Sequence, residues 1–94
     1  MTESLDERSL VTISASVYAR AFGEEVVLLE FGKGEYFGLD AVGAEIWRRL
    51  EAGDALGAVA DYIVAAYEVS REDALRDIVE LVTELRSHDL VAVP

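Results

Sequence analysis

A short aromatic strand runs directly into an amphipathic helix over residues 35–50. The segment Glu35–Leu39 contains two aromatic residues and suits an extended strand, and Asp40 is a good N-cap for a helix that continues to Leu50. Because no loop separates these two elements, the helix begins where the strand ends. The junction therefore predicts a domain in which a sheet edge lies beside a helix.

Strand patterns precede the junction. Apolar and polar residues alternate from Leu10 to Tyr18, which predicts a half-buried strand. A second strand is predicted over Val26–Phe31, and because both of its faces are apolar we expect it to be covered on both sides. Gly32–Gly34 predicts a tight hairpin turn that leads into the strand Glu35–Leu39.

Two more helices and a short strand are predicted after the junction. Asp54 is expected to cap a helix that runs to about Tyr67, and Ser70 to cap a helix over about 71–87. Leu90–Val93 is predicted to form a short closing strand. The residues at helical spacing that we expect to be buried are Val42, Ile46, Trp47, Leu50, Leu56, Val59, Ala60, Ile63, Tyr67, Leu75, Ile78, Val82 and Leu85, with Ala74 and Leu81 beside them.

The order of these elements predicts the fold class. Three strands followed by three helices are typical of an α+β, winged helix-turn-helix-like domain, in which a three-stranded antiparallel sheet packs on a three-helix bundle. Residues 1–8 are mostly polar and charged, and we expect a flexible N-terminal tail there. Residues 9–94 are expected to form a single domain, since one hydrophobic core serves a chain of this size.

The charge balance excludes some classes of partner. The chain carries 19 acidic and 8 basic residues, which gives a net charge of −11 at pH 7. Such a surface repels phosphate backbones and anionic membranes, so we expect no nucleic-acid partner and no membrane partner. No apolar run approaches the roughly 18 residues that span a bilayer, and no secretory signal is visible. The expected location is cytoplasmic.

Residues that commonly carry catalysis or bind metals are scarce. The chain has no cysteine, and its only histidine, His88, is predicted at a helix end, where the helix dipole favours it. No serine has the neighbouring base that would activate it as a nucleophile. A metal site needs three or four converging ligands, whereas the acidic residues are scattered over predicted helix exteriors. We therefore expect no enzyme activity, no cofactor and no metal.

Peptide binding is better supported by the residues. Glu35–Leu39 is a candidate sheet edge that can accept an added strand. Val79, flanked by Arg76 and Thr83, is an apolar position beside the predicted buried face of the third helix. These features leave two hypotheses open: a peptide-binding groove, or a small interaction domain with an unspecified partner.

The chain from about Leu10 to Val93 resembles the PqqD-like family, also called precursor-peptide recognition elements. The matching motifs are Gly34-x-Tyr36-Phe37-x-Leu39-Asp40, Gly43-Ala44-x-Ile46-Trp47 and Glu51-Ala52-Gly53-Asp54, in that order. The resemblance implies a winged-helix domain that binds the N-terminal leader of a ribosomally made precursor peptide and does no chemistry itself. In the family, the leader adds as an antiparallel strand to the third strand and lies against the third helix.

Within the family, the Tyr36–Leu39 strand and Trp47 most resemble stand-alone leader-binding proteins of lasso-peptide clusters. The resemblance then implies a leader with a Tyr-x-x-Pro motif, which the domain presents to a transglutaminase-like cysteine leader peptidase and an asparagine-synthetase-like cyclase. One alternative is a peptide chaperone for a radical SAM enzyme in another modified-peptide pathway, and another is an acidic winged-helix protein-protein adaptor. The residues implied in leader binding are Glu35, Tyr36, Phe37, Gly38 and Leu39 of the strand, Leu75, Arg76, Val79, Val82 and Thr83 of the third helix, and Val27 and Leu29 as a floor.

Overall fold

The computed structural model describes residues 5–93, which form five strands and three helices. In chain order they are β1 (Thr12–Ile13), β2 (Val17–Phe22), β3 (Glu25–Glu30), β4 (Glu35–Leu39), α1 (Ala41–Glu51), α2 (Leu56–Ala66), α3 (Arg71–Ser87) and β5 (Val91–Ala92). Strands β2, β3 and β4 form an antiparallel sheet in that order, and β1 pairs with β5. The predicted α+β fold, a three-stranded antiparallel sheet followed by three helices, is confirmed.

The alternating segment that we predicted as one strand over residues 10–18 is two strands. A turn at Ala15 and Ser16 separates β1 from β2, closed by a hydrogen bond from Val17 N to the Ser14 carbonyl oxygen. The serine hydroxyls are hydrogen-bonded as well, with Ser14 Oγ and Ser16 Oγ 3.1 Å apart. Serine is polar and forms hydrogen bonds readily in turns. The turn residues therefore keep the polar–apolar alternation of a strand in the sequence although the strand is interrupted there.

The core lies between the inner face of the sheet and the helices. Val26 and Leu28 of β3 point inward, and α1 lies against β3 and β4 with Trp47 almost fully buried. Trp47 Nε1 finds no hydrogen-bond partner among the described residues, so the side chain stabilises the core through apolar contact. The other fully buried large side chains are Leu50, Leu56, Val59, Ile78, Val82, Leu85 and Leu90.

The outer face of the sheet is exposed, so the prediction that the second strand is covered on both sides is wrong. Leu29 pairs with Tyr18 on one side and Tyr36 on the other, and the two tyrosines are 51% and 76% exposed. Phe31, predicted in the same strand, lies in the β3–β4 turn and is 69% exposed. The cross-strand neighbours Tyr18 and Tyr36 partly shield Leu29 from water, so its partial burial does not require a second layer on this face of the sheet.

Two of the three predicted helix caps are confirmed. Asp40 accepts a hydrogen bond from Gly43 N at 2.8 Å, and Ser70 accepts one from Asp73 N at 3.1 Å. The predicted cap at Asp54 is wrong, because its carboxylate forms an ion pair with Arg49 at 2.9 Å and Ala55 is the N-cap residue of α2.

The first amides of α2 are satisfied by the N-terminal segment instead. Leu56 N donates to the Ser9 carbonyl oxygen at 3.1 Å and Gly57 N donates to the Glu7 carbonyl oxygen at 2.9 Å. The Glu7 carboxylate also pairs with Arg71 at 2.8 Å, which ties this segment to α3. Of the tail predicted over residues 1–8, residues 1–4 lie outside the described part, and the remainder contacts two helices.

The predicted buried faces of the helices hold with three exceptions. Val42 is 38% exposed, and Tyr67 and Leu75 are only half-buried. Val42 and Leu75 lie at the edges of the buried faces of their helices, whereas Tyr67 follows α2 as its extended C-cap residue. The predicted closing strand is confirmed as β5, which pairs antiparallel with β1.

We expect Trp47→Ala to lower the free energy of unfolding by about 3–5 kcal/mol, because it removes the largest buried side chain and leaves a cavity. Phe22→Ala, which truncates an aromatic ring that is 56% exposed, is the matched control and should cost less than about 1 kcal/mol. Urea titration followed by circular dichroism measures both. Equal losses in the two variants would contradict this description of the core.

Candidate functional site

An open groove lies between β4 and α3. Strand β4 is the last strand of the sheet, so alternate backbone N–H and C=O groups along it point away from β3 and have no strand partner. The groove has a volume of about 540 Å³. Its lining residues are Phe37, Gly38, Leu39, Asp40, Val42, Gly43, Ile46, Asp77, Leu81 and Glu84.

Helix α1 forms the apolar floor of the groove. The N-cap bond of Asp40 starts α1 immediately after β4, so Val42 and Ile46 lie below the strand edge together with Leu39. Gly43 is closely packed at this junction, since a Cβ there would lie 3.3 Å from both Asp40 Oδ1 and Leu39 Cδ2. The tight strand-to-helix junction therefore places the floor beside the edge.

Helix α3 supplies the opposite wall. Asp77, Leu81 and Glu84 are spaced four and three residues apart, which places them on one face of the helix. Leu81 is half-buried, whereas the two acids are exposed. Neither carboxylate has an ion pair or side-chain hydrogen bond within residues 5–93. The wall is thus an apolar centre flanked by two unpaired negative charges.

The β3–β4 turn is organised by a buried carboxylate. Glu30 is 6% exposed, and it accepts hydrogen bonds from Ser16 Oγ at 2.5 Å and Lys33 N at 2.7 Å. The hydrogen bond from Ser16, followed by that from Lys33, lowers the pKa of Glu30 below its ordinary value. Gly32 passes so close that a Cβ would lie 2.9 Å from Glu30 Oε2, which explains glycine at this position.

The end of α3 contacts the same hairpin. The His88 ring lies 5.5 Å from the Phe37 ring between centroids, and His88 Nδ1 is 3.9 Å from Glu35 Oε1. Lys33 and Asp89 form an ion pair beside them, which lowers the pKa of Asp89 and raises that of Lys33. These contacts bring β4 and α3 together at the hairpin end of the groove. His88 is the C-cap residue of α3, consistent with the helix-end position that we predicted.

A second, more enclosed apolar pocket adjoins the other end of the groove. It has a volume of about 190 Å³ and lies among α1, the end of α2 and the start of α3. Val42, Ile46 and Asp77 line both cavities, so the pocket adjoins the groove. The other residues that line the pocket are Ile63, Tyr67, Val69 and Ala74.

The predicted strand residues all belong to β4, which borders the groove, but only some of their side chains point into it. Phe37, Gly38 and Leu39 line it, whereas the Tyr36 side chain points to the outer face of the sheet. Glu35 lies at the hairpin end, near His88.

The predicted helix and floor residues do not line the groove. Val79 lies about 200° around α3 from Asp77, at about 100° per residue, and so occupies a different face. Val82 is fully buried in the core. Leu75, Arg76 and Thr83 also lie outside the lining, and Val27 and Leu29 belong to the outer sheet face, since they pair with Gly38 and Tyr36.

Sequence reasoning missed the groove residues of α1 and α3. Val42 and Leu81 were expected in or beside the buried helix faces because they are apolar. The face formed by Asp77, Leu81 and Glu84 is visible as helical spacing, but its acidic residues make it look like an ordinary solvated surface. The sequence feature that could have identified this face of α3 is a single leucine, Leu81, between two acidic residues at helical spacing.

The groove is suited to binding an extended chain. It offers unpaired backbone groups along one side, an apolar floor and an acidic wall. Residues 5–93 contain no group of three metal-binding side chains. No helix in this part of the chain has the length and apolar composition needed to cross a membrane.

Comparison with known proteins identifies relatives of this fold. A family model described as coenzyme PQQ synthesis protein D (PqqD) matches residues 25–91. A solved structure of TbiB1 in complex with the TbiA(beta) leader peptide is 40% identical, with a TM-score of 0.82 over 85% of this chain and 93% of that one. A structure of lasso peptide synthetase B1 complexed with the leader peptide is 33% identical, with a TM-score of 0.82 over 87% of this chain and 96% of that one. Comparison with curated proteins finds no match.

We expect ionised Glu30 to stabilise the fold in a pH-dependent way. Because its pKa is lowered on folding, this stabilisation is present above the ordinary pKa of 4.5 and is lost as the pH falls through the lower folded-state pKa. The difference in unfolding free energy between the wild type and Glu30→Gln should therefore shrink from about pH 6 to about pH 3. Urea titrations across that range measure it, and a difference that stays constant or grows would contradict the role assigned to this carboxylate.

Proposed function

The chain belongs to the PqqD family, and we propose that it is a non-catalytic binding module for the leader of a ribosomally synthesised precursor peptide. The observation that carries the proposal is the free edge of β4, which faces α3 across an apolar floor. The two similar solved structures support it, since both are described as complexes with a leader peptide.

The leader binds as an added strand on β4. Its backbone takes up the unpaired N–H and C=O groups of the edge, which gives affinity without dependence on sequence. Its side chains alternate, so every second one points into the groove toward Leu81 and Ile46, and the others lie on the outer face near Tyr36. Sequence preference then comes from the side chains that point inward.

The apolar pocket beside the groove is a receptacle for one large side chain of the leader. An antiparallel leader runs from the α1 end of β4 toward the β3–β4 turn, so its N-terminal part lies nearest the pocket. A volume of about 190 Å³ can accommodate an aromatic ring such as that of a Tyr-x-x-Pro motif. A buried aromatic anchor of this kind contributes about 2 kcal/mol or more to binding.

The partners of the bound leader are the enzymes that process it. We place this chain in lasso-peptide maturation, where it presents the leader to a cysteine leader peptidase and a cyclase on separate chains. The 33% identity to a lasso peptide synthetase B1 that is complexed with its leader peptide supports this assignment. A second candidate is a peptide chaperone for a radical SAM enzyme in another modified-peptide pathway, and the observation behind it is that the matching family model is described as a coenzyme PQQ synthesis protein.

A pair of variants on α3 tests the binding site. Leu81→Glu places a charge in the groove wall and should weaken leader binding at least about tenfold, because a buried charge without a partner is costly. Val79→Glu makes the same change on another, equally half-buried face of α3 and should change binding less than about twofold. Fluorescence anisotropy with a labelled leader from the neighbouring precursor gene measures both.

Circular dichroism and thermal melts establish that each variant is folded. If folded Val79→Glu loses binding while Leu81→Glu retains it, the helix residues first predicted from the family resemblance form the site instead. If the wild type does not bind the leader at all, leader recognition is wrong for that precursor.

A further inference from the structure

We propose that the groove selects peptides in which an apolar residue is flanked, two positions away on each side, by a basic residue. The inference deepens the leader-binding function proposed above and rests on it. It concerns the side chains that point into the groove, and it follows from the charge and spacing of the α3 wall.

Two carboxylates give the α3 wall of the groove its negative charge. Asp77 and Glu84 are exposed and have no ion pair within the described residues. Arg76, next to Asp77 in the sequence, donates its hydrogen bond to Asp73 at 2.7 Å and acts on Asp77 through its charge alone. No lysine or arginine is among the residues that line the groove, so a bound peptide with basic side chains would place positive charge inside it.

The third carboxylate that lines the groove, that of Asp40, already accepts a hydrogen bond within the protein. Asp40 accepts a hydrogen bond from Gly43 N at 2.8 Å and caps α1. It therefore stabilises the protein's own helix, while Asp77 and Glu84 remain available to a ligand. The two groove carboxylates that form no side-chain hydrogen bond within residues 5–93 are therefore both on the α3 side.

The spacing of the wall is about three-quarters of the repeat of a strand. At a rise of about 1.5 Å per residue, Asp77 and Leu81 are about 6 Å apart along the axis, and Leu81 and Glu84 about 4.5 Å. Side chains on one face of a strand recur every two residues, or about 6.8 Å. Three successive inward side chains thus span about 13.6 Å against about 10.5 Å on the helix, a difference that flexible Lys or Arg side chains absorb.

The middle of the three positions is apolar. Leu81 faces the groove between the two acids, and Ile46 and Phe37 line the cavity with it. An apolar side chain of the peptide at this position would be removed from water, which is favourable. A charged side chain would lose water there without gaining a partner of opposite charge. The wall therefore specifies the order basic, apolar, basic at positions i, i+2 and i+4 of the added strand.

Selection from a random library tests this pattern without knowledge of the natural leader. An mRNA-display library of randomised 12-residue peptides is selected on the immobilised full chain, on Asp77→Asn/Glu84→Gln, and on Glu25→Gln/Glu51→Gln. The last variant removes the same charge at exposed positions outside the groove. Peptides enriched on the wild type are then resynthesised with Lys, Gln or Glu at i and i+4, and their affinities are measured at low salt.

We expect basic residues to be enriched at i and i+4 around an apolar residue on the wild type and on Glu25→Gln/Glu51→Gln, but not on Asp77→Asn/Glu84→Gln. The Lys form should bind about fivefold more tightly than the Gln form, and the preference should diminish as salt rises. Enrichment of peptides without this preference, or with the preference intact in Asp77→Asn/Glu84→Gln, would overturn the inference alone. Failure to enrich any peptide, together with no binding of the leader itself, would overturn both it and the proposed function.

Discussion

The packing of α1 against the inner face of β3 and β4 determines the rest of the structure. Trp47 and Leu28 are almost fully buried at this contact, and Asp40 starts the helix at the end of β4. Because α1 occupies the space beneath the strand edge, α3 packs mainly on α2 and lies across a groove from β4. The edge therefore remains unpaired while an apolar floor is held beside it.

The two faces of β4 lie in different surroundings. Phe37 and Leu39 point toward the helices, whereas Tyr36 points to the exposed outer face. A strand added to β4 continues this alternation, so half of its side chains meet the groove and half remain on the sheet surface. In the proposed binding mode, the edge of β4 recognises the peptide backbone and the wall opposite it selects among side chains.

Local signals were sufficient to predict much of the fold. The bounds of β4, the Asp40 and Ser70 caps and the extent of α3 all follow from interactions within a few residues of the chain. The cap of α2 was not predictable in this way, because its first amides bind carbonyl groups of Glu7 and Ser9, about fifty residues earlier. The face of α3 that lines the groove was not predictable from local signals either. One face of α3, with Asp77 and Leu81, lies on one side of its buried stripe, and another face, with Val79, lies on the other side. Which of them is turned toward β4 depends on how α1 is packed between β4 and α3.

The proposed function requires that a peptide add as a strand to the edge of β4. Amide hydrogen exchange measured by NMR, with and without a saturating leader peptide, tests this requirement residue by residue. We expect alternate amides within Glu35–Leu39, those that point away from β3, to become protected on binding, while strand β2 at the opposite edge of the sheet changes little. Protection confined to helices, with exchange in β4 unchanged, would contradict strand addition and place the peptide elsewhere on the domain.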